Sequence, residues 1–231
     1  MSDQPAGRHD LSGEDRERLR DDERAEWNAR YGGSDRIWSG NPNSALVDEV
    51  GSLAPGRALD VGCGEGADAI WLASRGWQVT ALDVSDVAIE RASQAARTVG
   101  VEVTWLVTGL LDARLPAGGF DLVSACYPVL RRTPNHAAER VLVAAVAPSG
   151  TLLVVHHADL DAERATAHGS GGEGASAHGF DPAAYAGPAD VAAVLGAGWE
   201  VAFDPRRPRT VTSGAGAGHT DDVILHAIRT R

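Results

Sequence analysis

Short apolar runs alternate along the chain with stretches whose apolar residues recur at helical spacing, from about residue 44 onward. The runs are rich in Val, Leu and Ala, as expected of strands buried in a parallel sheet. Strands that alternate with helices predict an α/β fold. Seven strands are predicted, at 58–61, 79–82, 101–107, 120–126, 151–155, 198–203 and 222–228.

The stretches between these runs predict the helices. Ala88, Ala92, Ala95 and Val99 recur at helical spacing, which predicts a helix over 86–99. The last two strands predict an antiparallel hairpin, closed through a glycine-rich linker at 213–218. Four other helices are predicted. One spans 44–53, one follows the first strand and its glycine turn, and two span 134–146 and 188–195.

The first 43 residues follow a different pattern. Residues 10–26 are dense in charge, which predicts an exposed helical arm that packs by one edge. Trp27, Tyr31 and Trp38 then follow closely in a chain that is only 5% aromatic. Two interpretations remain open: a lid that gives a ligand site aromatic walls, or a staple that fastens the arm. We therefore divide the chain into an arm and aromatic lid at 1–43 and a domain at 44–231.

A glycine turn follows the first predicted strand, at 62–66, and the second strand ends on Asp83. Strand, glycine turn, helix, strand and terminal carboxylate are typical of a nucleotide site, in which the acid accepts the ribose hydroxyls. Glu65 and Asp68 would repel the phosphates of a dinucleotide. The sequence therefore favours a nucleoside without phosphate, such as S-adenosylmethionine, over a dinucleotide. A tight glycine turn without a ligand is the less favoured alternative.

The segment 59–66, with Asp83 after it, resembles the class I S-adenosylmethionine-dependent methyltransferases. The resemblance implies one Rossmann-like domain with a seven-stranded, mostly parallel sheet, a closing antiparallel hairpin and helices on both faces. It also implies methyl transfer to a small-molecule nucleophile (O, N, S or chalcogen) by in-line displacement. A nicotinamide-dependent oxidoreductase and a non-catalytic S-adenosylmethionine-binding protein stay open. The aromatic segment at 27–43 and the strand after His219 are similar to the tellurite-resistance and thiopurine methyltransferase-like branch.

Ligands of parallel sheets bind beyond the carboxyl ends of the strands, which defines the candidate site residues. Asp112 takes the adenine contact, because Gly109 and Leu110 stand where the family carries an acid. Substrate and lid contacts are expected from four aromatic residues: Trp27, Tyr31, Trp38 and Tyr127. Cofactor contacts are expected from ten residues: Asp60, Gly62, Cys63, Gly64, Gly66, Asp83, Val84, Leu111, Asp112 and Cys126.

Three histidines at strand ends or turns, His156, His157 and His219, are candidates for a single general base. Neighbouring residues of a strand point to opposite faces, so one of the first two should face the pocket. His219 precedes Asp221 and Asp222, which could fix its tautomer. Each could equally be a polar loop or strand-end residue, and a base is needed only if the acceptor carries a proton. Their spacing predicts no metal site.

Composition narrows the classes further. The net charge of −11 argues against nucleic acid as a partner, because phosphate-binding surfaces are basic. The chain contains no lysine, which excludes P-loop and Schiff-base chemistry. No apolar run approaches the ~18 residues of a membrane span, and the N-terminus does not resemble a signal peptide, so we expect a cytoplasmic protein without a membrane partner. The sequence leaves the oligomeric state open.

Overall fold

The computed structural model describes residues 13–158, 184–209, 211 and 213–230. Its centre is a seven-stranded sheet in the order β3-β2-β1-β4-β5-β7-β6. The strands are β1 (Arg57–Val61), β2 (Gln78–Asp83), β3 (Thr104–Val107), β4 (Phe120–Cys126), β5 (Val146–His157), β6 (Trp199–Pro208) and β7 (Asp221–Arg229).

Strands β1 to β5 pair in parallel, and β7 lies antiparallel between β5 and β6. This arrangement confirms the predicted fold class, including the antiparallel hairpin that closes the sheet. The chain winds outward in one direction from β1 and in the other from β4. The crevice between the carboxyl ends of β1 and β4 is therefore the point where an open sheet of this kind binds its ligand.

Helices cover both faces of the sheet, as the alternation of buried side chains along the strands requires. Leu59 of β1 belongs to an apolar cluster with Leu142 and Val191 on one face. Its neighbour Ala58 belongs to a second cluster with Leu72 on the other face. The helices are α1 (Gly13–Gly32), α2 (Ser44–Val50), α3 (Ala67–Ser74), α4 (Asp86–Val99), α5 (Ala137–Ala145) and α6 (Pro188–Ala193).

Several predicted boundaries are wrong. The hydroxyl of Thr133 accepts a hydrogen bond from the Ala137 amide at 2.7 Å, so α5 begins three residues later than predicted. β5 begins at Val146, directly after α5. The sequence also predicts a turn at 148–150, before the fifth strand, but these residues lie inside β5 as an irregularity in its pairing with β4. β3 begins at Thr104, the first residue to pair with β2.

The closing hairpin is longer than predicted. β6 continues to Pro208 because it keeps pairing with β7, although the register shifts between Asp204 and Arg207. The glycine-rich linker after it packs against the N-terminal segment, where the Ala215 amide donates to the Ile37 carbonyl at 3.0 Å. The sequence also predicts a long connection after the fifth strand, at 156–187, and residues 159–183 of it lie outside the described residues. Among those described, no helix has the length and apolar character needed to cross a membrane.

Candidate active site

The glycine turn joins β1 to α3 at the carboxyl edge of the sheet. Gly62, Gly64 and Gly66 have φ of +71°, +52° and +82°, a conformation that side chains with a Cβ rarely adopt. The amides of Gly62 and Cys63 donate to the Leu82 carbonyl at 2.9 and 3.0 Å, which fastens the turn to the end of β2. The sequence therefore specifies a backbone that a ligand can approach closely.

Asp83 lies buried behind this turn, 8% exposed. Its carboxylate accepts a hydrogen bond from the Gly64 amide on one oxygen and from the Ser85 amide on the other, both at 2.9 Å. Burial raises the pKa of this carboxyl. Since each carboxylate oxygen can accept two hydrogen bonds, both retain capacity for a pair of ligand hydroxyls. Val84, also a predicted cofactor contact, follows directly.

Two further acids, Asp60 and Asp68, form a pair that is buried more deeply than Asp83, at 2% and 6% exposed. Burial raises the pKa of both carboxyls, and the charge of Asp68 raises that of Asp60 further. One oxygen of Asp60 has no hydrogen-bond partner among the described residues. A buried carboxylate is costly unless it is paired, so this pocket fits a cationic group of a ligand.

Glu65 and Asp68 also fix the N-terminal segment, a role that the sequence did not reveal. The Glu65 carboxylate accepts hydrogen bonds from the amides of Ile37 and Trp38 at 3.2 and 3.0 Å. Asp68 accepts two from Asn43, through its backbone and side-chain nitrogens, both at 2.7 Å. These acids therefore hold the arm against the glycine turn, in addition to making that turn unfavourable for phosphate.

The aromatic residues of the arm lie directly on the turn. The Trp38 indole donates to the Tyr31 hydroxyl at 3.1 Å. A Cβ at Gly64 would come within 2.9 Å of that hydroxyl and 3.2 Å of the indole nitrogen. Trp27 packs against Tyr31, and the Arg30 guanidinium lies over both tryptophan rings. The contacts fit a lid and a staple equally well, so the division at residue 43 stays a prediction.

Replacing Glu65 with alanine should loosen the arm, because hydrogen bonds to a partly buried carboxylate are each worth about 1.5–3 kcal/mol. We expect amide exchange at Ile37 and Trp38 to become at least tenfold faster. Mass-spectrometric hydrogen exchange measures this, and Glu102→Ala, at an exposed site before β3, is the control. Unchanged exchange in the Glu65 variant would show that the other contacts of the segment, such as the Asn43–Asp68 hydrogen bonds and the aromatic packing, hold it without Glu65.

The arm also reaches the predicted adenine contact. Arg20 of α1 forms an ion pair with Asp112, and the Ser85 hydroxyl donates to Asn28 of α1 at 2.7 Å. Asp112 lies next to Gly109, at the rim of the crevice, but its carboxylate is engaged by the arm. Leu111 is 51% exposed. The adenine contact assigned to Asp112 stays a prediction.

Two residues at the end of β4 lie at the crevice. Cys126 is buried, and burial raises the pKa of its thiol, which disfavours a role as nucleophile. Tyr127 has φ of +55°, which is strained for an aromatic residue. It is held by its amide, which donates to the Val155 carbonyl, and by its hydroxyl, which donates to Asp222, both at 2.8 Å.

The structure brings the three candidate histidines together in one cluster. The imidazole of His157 lies between the rings of Tyr127 and His219, with centroid distances of 4.2 and 3.8 Å. His156 is 5% exposed and lies edge-on to this stack. The imidazoles of His156 and His157 lie 6.1 Å apart and both lie beside Tyr127, and of the two His157 is the one stacked with His219. Which of the two faces the pocket stays a prediction.

Asp222 and Arg209 lie beneath the stack. Asp222 is 2% exposed, and one of its oxygens is 3.4 Å from His157 Nδ1. The Arg209 side chain, 5% exposed, donates to the same nitrogen at 3.1 Å and covers the Tyr127 ring. The sequence suggested Asp222 only as a partner of His219, and it did not indicate a role for Arg209. Among the described residues, no group of three or more acidic, histidine or cysteine side chains could hold a metal ion.

Comparisons with known proteins agree with this geometry. Residues 58–150 match a family described as a methyltransferase domain. An uncharacterized methyltransferase of Mycobacterium bovis is 35% identical over 122 residues, which cover 52% of this chain and 61% of the relative. The chain therefore spans about three fifths of the length of this curated relative.

Solved structures show the same fold. One solved structure aligns with a TM-score of 0.64 at 23% identity, covering 90% of this chain and 92% of that one. It is described under the conversion of a disulfide bond into a thioacetal group during echinomycin biosynthesis. The N-methyltransferase NodS of Bradyrhizobium japonicum, in complex with S-adenosyl-L-homocysteine, aligns with a TM-score of 0.57 at 22% identity, covering 81% and 84%. The matched segment 58–150 carries the glycine turn and Asp83 on a Rossmann-like methyltransferase fold, and together these findings support an S-adenosylmethionine-dependent methyltransferase domain.

Proposed function

We propose that the chain is a methyltransferase that uses S-adenosylmethionine to methylate a small-molecule nucleophile. The observation that carries this proposal is the glycine turn flanked by the buried carboxylates of Asp60 and Asp83, which retain capacity for further hydrogen bonds. Such a site suits a ligand with ribose hydroxyls and a positive charge, and disfavours one with phosphates. The match of residues 58–150 to a methyltransferase domain supports the same conclusion.

Two groups of the proposed cofactor, its ribose and its ammonium group, would have acidic partners in this chain. Asp83 would accept the ribose hydroxyls, and the unpartnered oxygen of Asp60 would accept the ammonium group. The backbone of the turn is open to close approach at Gly62 and Gly64. Cys63, Val84 and Cys126 would border the nucleoside, with Gly66 setting the path of the chain into α3.

S-adenosylmethionine supplies a methyl group activated by a positively charged sulfur. This chain's residues would contribute position and exclusion of water, which can account for most of the acceleration of such a transfer. Tyr31 and Trp38 would cover the turn, and Trp27 would support them. Tyr127, held rigidly after β4, would form the wall on the acceptor side.

The acceptor is proposed to be small, and its class is narrowed by charge. The net charge of −11 disfavours nucleic acid. The similarity to the tellurite-resistance and thiopurine methyltransferase-like branch would further suggest a soft or aromatic nucleophile. That narrower resemblance rests on the aromatic segment at 27–43 and on the strand after His219.

Calorimetry with S-adenosylhomocysteine tests the cofactor, and we expect one molecule bound per chain. NAD serves as the comparison ligand, since its pyrophosphate would meet Glu65 and Asp68. Heat from NAD with none from S-adenosylhomocysteine would favour an oxidoreductase instead. A screen with methyl-labelled cofactor against pooled phenols, thiols, amines and chalcogen oxyanions then separates an enzyme from a non-catalytic binding protein.

A further inference from the structure

Beyond cofactor binding, the side chains at the carboxyl ends of β4, β5 and β7 carry an inference about the acceptor. We propose that His157 is the general base for a phenolic acceptor, and that Arg209 and Asp222 compete for its Nδ1 atom and so determine whether it can act. This inference rests on the proposed methyl transfer and names its substrate class.

The first step is the covering of His157. Tyr127 and His219 stack on its two faces, the second nearly parallel at 10° between ring planes. Only the edges of the imidazole remain for hydrogen bonding. The Nδ1 edge meets Arg209 and Asp222, so any acceptor must be reached from the Nε2 edge.

The second step is the tautomer. An arginine can only donate, so Nδ1 must accept when the Arg209 Nη1 atom donates to it at 3.1 Å. The neutral ring then carries its proton on Nε2, which cannot accept another. With the proton on Nδ1 instead, that atom would face the nearer Asp222 oxygen, 3.4 Å away, and Nε2 would become the base.

The third step is that both competitors have an unmet or alternative partner. The Asp222 oxygen next to His157 has no hydrogen-bond partner among the described residues, although it is buried. Arg209 already donates to the Gly216 carbonyl at 3.0 Å through the same nitrogen, and its Nε forms an ion pair with the other Asp222 oxygen at 3.6 Å, without a hydrogen bond in the described part of the chain. A small shift of Arg209 would therefore exchange one tautomer for the other.

The groups that face His157 come from every neighbouring element. Burial lowers the pKa of His157, the charges of His219 and Arg209 lower it further, and Asp222 raises it. Tyr127 stacks on the ring and His156 lies edge-on to it. A neutral His157 at physiological pH follows, as a base requires.

The acceptor class follows from charge and shape. The Arg209 cation would repel an ammonium acceptor and stabilise an oxygen that becomes negative. The linker after β6 joins this cluster to the aromatic lid, because Gly216 binds Arg209 while Gly214 lies against Trp38. An aromatic wall beside a base and a cation favours a flat, weakly acidic hydroxyl, which is a phenol.

The reaction balances without a further reagent. The phenol oxygen forms a bond to the methyl carbon as the carbon–sulfur bond breaks, and the electron pair of that bond goes to sulfur. The phenolic proton passes to His157 Nε2 and is later released to solvent. S-adenosylhomocysteine and a neutral methyl ether are the products.

The decisive experiment compares two acceptors at pH 8: phenol, which is almost entirely protonated, and 4-nitrophenol, which is largely ionised. We expect His157→Gln to lose roughly 10²-fold or more in turnover of phenol, but to stay within about fivefold of wild type on 4-nitrophenol. His136→Asn, a histidine substitution at the start of α5, is the matched control and should leave both rates unchanged. Equal losses on both acceptors, or no methylation of either by the wild-type chain, would overturn the proposal.

The tautomer provides a readout that needs no turnover. Nitrogen-15 spectra of the full chain should show the His157 proton on Nε2 in the wild type and on Nδ1 in Arg209→Met. Turnover should rise with pH as His157 loses its proton. A cation lowers and an anion raises the pKa of the imidazole, so this rise should move to higher pH in Arg209→Met and to lower pH in Asp222→Asn. A proton on Nδ1 in the wild type already overturns the competition, even if neither variant folds. Binding of S-adenosylhomocysteine is measured separately. If the chain does not bind it, the proposed function is refuted rather than the role of His157.

Discussion

Replacing Asp83 with alanine is expected to weaken binding of S-adenosylhomocysteine by about 1.5–3 kcal/mol, or roughly tenfold to 150-fold in Kd. The carboxylate is buried at the end of β2, where it would accept two ribose hydroxyls. It also accepts hydrogen bonds from the amides of Gly64 and Ser85, so its loss would loosen the turn that the nucleoside approaches. Isothermal calorimetry measures the change directly.

Asp121→Ala is the matched control, because Asp121 is the second residue of β4, at the end of the strand opposite to the site, and pairs with Arg57 there. Its Kd for S-adenosylhomocysteine should equal that of the wild type. Thermal unfolding of both variants without ligand separates lost contacts from lost stability. A normal Kd in Asp83→Ala would mean that the ribose binds elsewhere, and would remove the main support for the cofactor site.

The sequence predicted the fold because the information that it required is local. Apolar runs such as Phe120–Cys126 are buried on both faces and are bounded by turns, so they identify parallel strands without knowledge of their partners. The glycines at 62, 64 and 66 define the turn by backbone conformation alone. Once β1 and β2 are known, the place of Asp83 follows from the direction of the strands.

The contacts of the arm could not be predicted, because they join residues far apart in sequence. Glu65 binds the amides of Ile37 and Trp38, and nothing in the spacing of these residues indicates a pairing. The charge of Glu65 was visible, and its effect on phosphate could be argued. Its partners depend on how the arm packs against α4, which local patterns do not encode.

The His157 cluster shows the same limit in a sheet. Alternation along β5 predicted that His156 and His157 point to opposite faces, and it did not indicate that both imidazoles would lie beside Tyr127. Arg209 follows β6, which is separated from β5 by β7, so its position depends on the register of the closing hairpin. That register shifts between Asp204 and Arg207, and an irregular pairing of this kind cannot be read from alternation.

The last prediction concerns the stability of the turn itself. Gly66 has φ of +82°, and a Cβ there would lie 2.7 Å from the Ala92 Cβ in α4 and 2.9 Å from the Trp105 ring in β3. Gly66→Ala should lower the free energy of unfolding by about 2–5 kcal/mol, about 1–2 from the left-handed backbone and about 1–3 from overpacking. Urea unfolding of the ligand-free chain measures this sum.

Gly100→Ala separates the two contributions. Gly100 caps α4 with φ of +79°, but a Cβ there would meet nothing within 4 Å. This control should lose only the backbone part, about 1–2 kcal/mol. The excess loss in Gly66→Ala then measures how rigidly α4 and β3 support the turn. Equal losses would mean that Ala92 and Trp105 give way, and that the glycine at 66 is needed for its backbone conformation rather than for close packing beneath the cofactor site.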